Sequence, residues 1–123
     1  MTQKIKVEVA PEYLDYQSSE KDQRFVFAYH ITITNEGSET AQLLHRHWII
    51  TDANNSKREV RGEGVVGEQP VLNPGESFSY TSGVMLETQV GTMQGSYQMQ
   101  TDDGLLFDAD IPVFLLSIPG SVN

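Results

Sequence analysis

Cysteine is absent from the 123 residues, which excludes a disulfide framework and any thiolate-bound metal and fits the reducing cytoplasm. Positive charge is scarce: 8 lysines and arginines stand against 17 aspartates and glutamates, a formal net charge of −9. A field of that sign repels nucleic-acid backbones and anionic membranes and favours cations or basic partners. It also serves simply to keep a small protein in solution. Long apolar runs are missing. The longest, near Ile111 to Ile118, holds Pro112 and Ser117 and falls well short of the roughly 20 apolar residues of a membrane span. The opening MTQKIKVEVAPEY has lysines with no apolar block behind them, unlike a signal peptide. The expectation is a cytoplasmic protein that binds no nucleic acid, does not insert directly into a membrane, and is not itself a channel or pump. No 3.6-residue apolar period lasts three turns, so no helix is expected, and no internal repeat or low-complexity tract is visible.

What is present is alternation. Apolar residues at 38% and charged residues at 20% describe an ordinary globule rather than a disordered chain, and the length predicts one domain, residues 1–123, able to bury its own core. Lys4 to Val9 alternates and reads as a half-buried strand, with Tyr13, Leu14 and Tyr16 continuing an extended edge past Pro11. Arg24 to Thr34 is the clearest strand: Phe25, Phe27, Tyr29, Ile31 and Ile33 share one face. After a turn at Asn35-Glu36-Gly37-Ser38, a strand from about Thr40 to Asp52 has less separated faces. Leu44, Trp48 and Ile50 share a parity with Arg46, which predicts these three apolar residues inward and Arg46 near a rim. Asn54-Asn55-Ser56 closes a hairpin and Lys57 to Arg61 returns as a short exposed strand.

Gly62 to Asn73 reads as a long loop, followed by a Pro-Gly turn at Leu72-Asn73-Pro74-Gly75-Glu76. Further strands follow at Ser77 to Met85 and Gly91 to Gln100, then a hairpin at Asp102-Asp103-Gly104 and a last strand from Leu105 to about Leu116, bent or edged at Pro112. The fold class is all-β: an immunoglobulin/fibronectin type III-like sandwich of about seven antiparallel strands, with a closed barrel as the competing arrangement.

Gly62-Glu63-Gly64-Val65-Val66-Gly67 fits G-x-G-x-x-G. In a dinucleotide fold that spacing brings backbone N–H groups to a pyrophosphate at a helix N-terminus. Here Pro70 and another strand follow instead of a helix, and Glu63 and Glu68 bring negative charge. Without a helix, such a loop still presents an anion nest; Gly62, Gly64 and Gly67, with Arg58 and Arg61 upstream, are the candidate phosphate site, and a plain connecting loop is the other reading. His45 and His47 lie on one side of a strand with Cα atoms about 6.5–7 Å apart, workable for a borderline cation; a surface pair is the other reading. His30, the remaining histidine, belongs to a strand of the opposite sheet and points away. Asp108 and Asp110 read as a solvated strand face. Tyr97 reads as core. No G-x-S-x-G elbow or opposed acid pair is visible, so no catalytic residue is assigned and the chain is read as no enzyme.

Five stretches carry a family resemblance. His45-Arg46-His47-Trp48-Ile49-Ile50-Thr51-Asp52, Glu59-Val60-Arg61-Gly62-Glu63-Gly64-Val65-Val66-Gly67-Glu68-Gln69-Pro70, and Gly91-Thr92-Met93-Gln94-Gly95-Ser96-Tyr97 closely resemble the bacterial ApaG family, as do Leu72 to Glu76 and Phe78 to Gly83. The resemblance covers nearly the whole chain. It implies the same sandwich, a role in Co²⁺ and Mg²⁺ efflux or resistance, and a protein-binding module, since related domains form part of larger eukaryotic proteins. It implies no enzymatic mechanism and no cofactor beyond a weakly held divalent cation; the glycine loop is its proposed phosphate site. A protein partner is expected, and an exposed edge at Lys57–Arg61 or the N-terminal strand leaves a homodimer open.

Overall fold

The structure is a computed structural model, and it describes residues 4–120. Among these residues eight antiparallel strands form two sheets: β1 (Ile5–Tyr13), β2 (Phe25–Asn35), β3 (Ala41–Asp52), β4 (Lys57–Glu63), β5 (Val71–Leu72), β6 (Ser77–Leu86), β7 (Val90–Thr101) and β8 (Leu106–Ser117). One sheet has the order β1-β2-β6; the other has the order β4-β3-β7-β8, with the two-residue β5 pairing the start of β3. The expected immunoglobulin/fibronectin type III-like sandwich is what forms. β2 and β3 lie in opposite sheets, as the histidine argument requires.

The aromatic row of β2 faces the core as its period demands, with Phe27, Ile31 and Ile33 fully buried. Against it β3 and β7 supply Leu43, Trp48, Ile50, Met93, Tyr97 and Met99. Trp48 is the hub: its ring centroid lies 5.3 Å from that of Tyr29, 5.9 Å from Phe114 and 6.4 Å from Tyr97, all edge-on. Edge-to-face contacts of this kind suit the ring quadrupoles and add to the area buried.

Four local expectations are corrected. Tyr16 does not extend β1; it sits in a 3-10 turn, Asp15–Gln17, closed by Gln17 N–H donating to Leu14 O at 3.1 Å. Leu43 rather than Leu44 is buried, because a bulge at Leu44 shifts the register of β3 against β7 from Leu43↔Met99 to His45↔Gln98. One extra residue reverses the parity of everything after it, which is why the two faces of β3 looked mixed. Gly62 belongs to β4, paired with Arg46, not to a loop. The remainder of the supposed long loop is divided by β5 and by a tight turn.

A second bulge sets Pro112 and Val113 opposite Gln94, between the pairs Gly95↔Ile111 and Met93↔Phe114. This is the bend expected at Pro112, and it lies on the edge strand, where a missing N–H costs least. The sandwich is closed on one side, where β1 runs along β8, and open on the other, where β4 and β6 are the unpaired edges of the two sheets.

Candidate functional site

Two surfaces collect the sequence-predicted residues. The first is the outer face of the larger sheet. Cross-strand pairing aligns Glu63, His45, Gln98 and Asp108 in one row and Arg61, His47, Ser96 and Asp110 in the next. These residues, Asp110 excepted, line a shallow cavity of about 570 Å³. His45 Nδ1 meets Gln98 Oε1 at 2.9 Å. His47 Nε2 is shielded from solvent and has no hydrogen-bond partner among the described residues; Glu59 Oε1 approaches it only to 3.7 Å. The histidine pair is therefore on one face, as expected. Among the described residues no group of three His, Cys, Asp or Glu is placed to hold a metal ion.

His30 lies on the outer face of the smaller sheet. Its Nδ1 is 2.8 Å from Thr81 Oγ1 and its Nε2 is 3.0 Å from Glu12 Oε1. Hydroxyl, imidazole and carboxylate thus stand in the order of a nucleophilic triad, a juxtaposition across three strands that no linear spacing announces. All three residues are exposed on a sheet face, and none lines the cavities described here. Catalysis by such a set needs donors aimed at a developing oxyanion and a place that holds the substrate.

The glycines do not share one cradle. Gly62 is in β4, where the Arg46 guanidinium lies over its Cα so closely that a Cβ would sit 2.6 Å from Cζ, Nη1 and Nη2. Gly67 is the second residue of a two-residue hairpin turn, and Gly64 stands just before it. Val65 N–H donates to Glu68 O at 2.8 Å and Glu68 N–H to Val65 O at 2.9 Å, with Val66 at φ 43 and Gly67 at φ 81. Two successive positive φ values are what a primed hairpin turn requires. Gly64 N–H donates to Leu44 O at 2.8 Å, so the carbonyl of the bulge residue anchors the turn. The N–H groups of Gly64, Val65 and Glu68 are thus engaged within the chain. Arg58 and Arg61, three residues apart on a strand, project from opposite faces. Arg61 lines the outer cavity and pairs with Glu59 at 3.5 Å, while Arg58 reaches across to Met85 O at 2.8 Å.

That reach defines the second surface, the open seam between β4 and β6. Two adjoining hollows of about 290 and 330 Å³ run along it. Tyr29, Arg46 and Trp48 line both; Arg58 and Val60 line one, and Val65, Gly67 and Tyr80 the other. Arg46 Nη1 donates to Glu63 O at 3.1 Å and Gly64 O at 3.0 Å, placing it at the rim. Behind it the Tyr80 and Tyr97 hydroxyls share a 2.6 Å hydrogen bond. Burial pushes both phenols well above the ordinary tyrosine range, with the Tyr97 bond and the Arg46 charge pulling Tyr80 back; both stay neutral hydroxyls at physiological pH. The role of Arg46 was the residue-level feature least visible beforehand. Its only signal was a charge sharing the parity of Trp48.

Fold and surfaces together define the class: a two-layer antiparallel sandwich with a polar cavity on one sheet face and an aromatic seam left open between two edges. The sequence profile described as "ApaG domain" matches residues 15–101. Protein ApaG of Azoarcus sp. (strain BH72) is 58% identical over 118 residues, covering 96% of this chain and 93% of that one. Protein ApaG of Pseudomonas aeruginosa (strain LESB58) is 55% identical over 119 residues, covering 97% and 94%. A Bordetella pertussis crystal structure described as an ApaA protein superposes with a TM-score of 0.94 at 49% identity, over 97% of both chains. The chain belongs to the ApaG domain family.

Proposed function

We propose that the chain is a non-enzymatic binding module that holds a protein partner along the open β4/β6 side of its sandwich. The observation that carries this is the edge of β6. It runs for ten residues, SFSYTSGVML, with no charge and no proline, and among the described residues it pairs with β2 alone. Long uncharged edges are normally blunted by lysine, proline or a covering loop; an exposed one offers the backbone groups by which extended segments are added as a further strand. Asn35 N–H donates to Glu76 O, and Met85 O receives Arg58. The even-numbered residues of β6 therefore address β2, and Ser77, Ser79, Thr81, Gly83 and Met85 address the seam.

We place the effect on Co²⁺ and Mg²⁺ efflux that the resemblance implies with that partner, in the cytoplasm. Among the described residues no helix is long and apolar enough to cross a membrane. A second copy of the chain on the same edge is the homodimer form of this reading. A nucleotide polyphosphate or pyrophosphate at Gly62, Gly64 and Gly67 ranks below it, since that segment's amides are largely engaged and Arg58 and Arg61 diverge.

The test compares the wild-type chain with Ser79→Pro, which removes an N–H that β2 does not use, in affinity capture from lysate and in light scattering. The partner, or the second copy, is expected on the wild type and lost from the variant. Equal capture by both chains refutes the edge, and repeated recovery of nothing refutes the module.

A further inference from the structure

Arg46 and Arg58 stand apart from the other two arginines of this acidic chain. Arg24 and Arg61 each meet a carboxylate, of Asp22 and Glu59. Arg46 and Arg58 meet none within 4.0 Å among the described residues; their hydrogen bonds go to the carbonyls of Glu63, Gly64 and Met85. A guanidinium carries five N–H donors in a planar fork and favours carboxylate or phosphate over carbonyl. Both forks therefore hold unused donors beside a seam lined by Tyr29, Trp48, Val60 and Met93.

The pairing sets the offset of the two anchors' backbones along the sheet. Arg46 lies opposite Gly62 and Arg58 opposite Ile50, so they sit four residue steps apart along the sheet, about 13–14 Å. In an extended chain, residues i and i+4 project from the same face at that spacing. Beyond Arg58 the seam ends at a hollow lined by Asp52, Lys57 and Glu87, where the two acids offset the lysine. With the strand-addition reading above, on which this rests, we infer that the captured segment is an extended acidic peptide whose carboxylates, four residues apart, bind Arg46 and Arg58 over the Trp48 floor. The chain's net charge of −9 opposes an acidic partner at long range, so recognition is local and depends on both arginines.

The experiment titrates the ¹⁵N-labelled full chain with an acetylated, amidated nine-residue peptide of valine and threonine carrying glutamate at positions 3 and 7, and with its glutamine counterpart. The glutamate peptide is expected to bind roughly tenfold tighter, to shift the amides of Ser79, Thr81, Gly83 and Met85, and to quench Trp48. The advantage should shrink severalfold in Arg58→Gln, and in Arg46→Lys, a variant chosen because it keeps the rim charge. If both peptides shift the β6 amides equally, the edge reading stands and the acidic inference falls. If neither peptide binds up to millimolar concentration, both fall. Inorganic pyrophosphate or ATP shifting the seam more tightly than the glutamate peptide overturns the inference in favour of a small anion.

Discussion

The buried hydroxyl pair at Tyr80 and Tyr97 allows a quantitative test of the core behind the seam. Tyr97 is fully buried and Tyr80 is 8% exposed, and each phenol has the other as its side-chain partner at 2.6 Å. Tyr97→Phe leaves the Tyr80 hydroxyl unpaired but close to the seam and its water, which costs about 1–2 kcal/mol. Tyr80→Phe strands the Tyr97 hydroxyl where water does not reach, at about 2–3 kcal/mol. The double variant removes both polar groups together and should cost below about 1 kcal/mol. The singles then sum to well above the double, a coupling of at least about 2 kcal/mol. Urea unfolding of the four proteins, with matching m-values, reads this directly. Singles that add to the double within about 0.5 kcal/mol would refute the pairing.

Three further outcomes follow from the same geometry. Gly62→Ala should displace the Arg46 guanidinium, 2.6 Å from the added Cβ, and with it the bonds to Glu63 O and Gly64 O. The expected loss in urea unfolding is about 1–2 kcal/mol, nearly vanishing when Arg46 is already methionine. Asp103 accepts a hydrogen bond from the Thr101 hydroxyl, which holds its carboxyl below the ordinary 3.8. A folded-state value below the unfolded one contributes stability above that pH and loses it as pH falls through the folded value. The stability difference between wild type and Asp103→Asn should thus be constant at neutral pH and fade only below about pH 4; a difference that persists to pH 2 contradicts it. His45 and His47 on one face, with no group of three His, Cys, Asp or Glu placed together among the described residues, predict weak Co²⁺ binding that perturbs both imidazole rings in NMR and vanishes in the double alanine variant. Perturbation elsewhere, or none, removes that candidate.

Much of the fold was legible because alternation is local. The row Phe25, Phe27, Tyr29, Ile31, Ile33 reports its burial by parity alone, and the hairpin at Asp102-Asp103-Gly104 by its turn residues. The bend at Pro112 was legible from the proline, but the bulge at Leu44 was not. Leu43 and Leu44 are chemically equal, and which is extra depends on the ladder with β7, a partner fifty residues away in sequence. The divergence of Arg58 and Arg61 was available, since an odd step along a strand always changes face; grouping them by charge overlooked it. The seam was beyond reach, because nothing in β4 or β6 says that these two edges face each other and that the β1/β8 side closes instead. The Gly62 motif illustrates the same limit. Its glycines are explained by an arginine lying over one and a primed turn at another, contacts that depend on Arg46 and Glu68 rather than on the spacing.

Amide hydrogen exchange along β6 tests the open edge most directly. In the free protein Phe78, Tyr80, Ser82 and Val84, whose N–H groups address β2, should exchange slowly, and Ser79, Thr81, Gly83 and Met85 should exchange fast, becoming protected when a partner is bound. Equal protection of both sets in the free protein would mean that the edge is already covered, and the binding surface would have to be sought elsewhere.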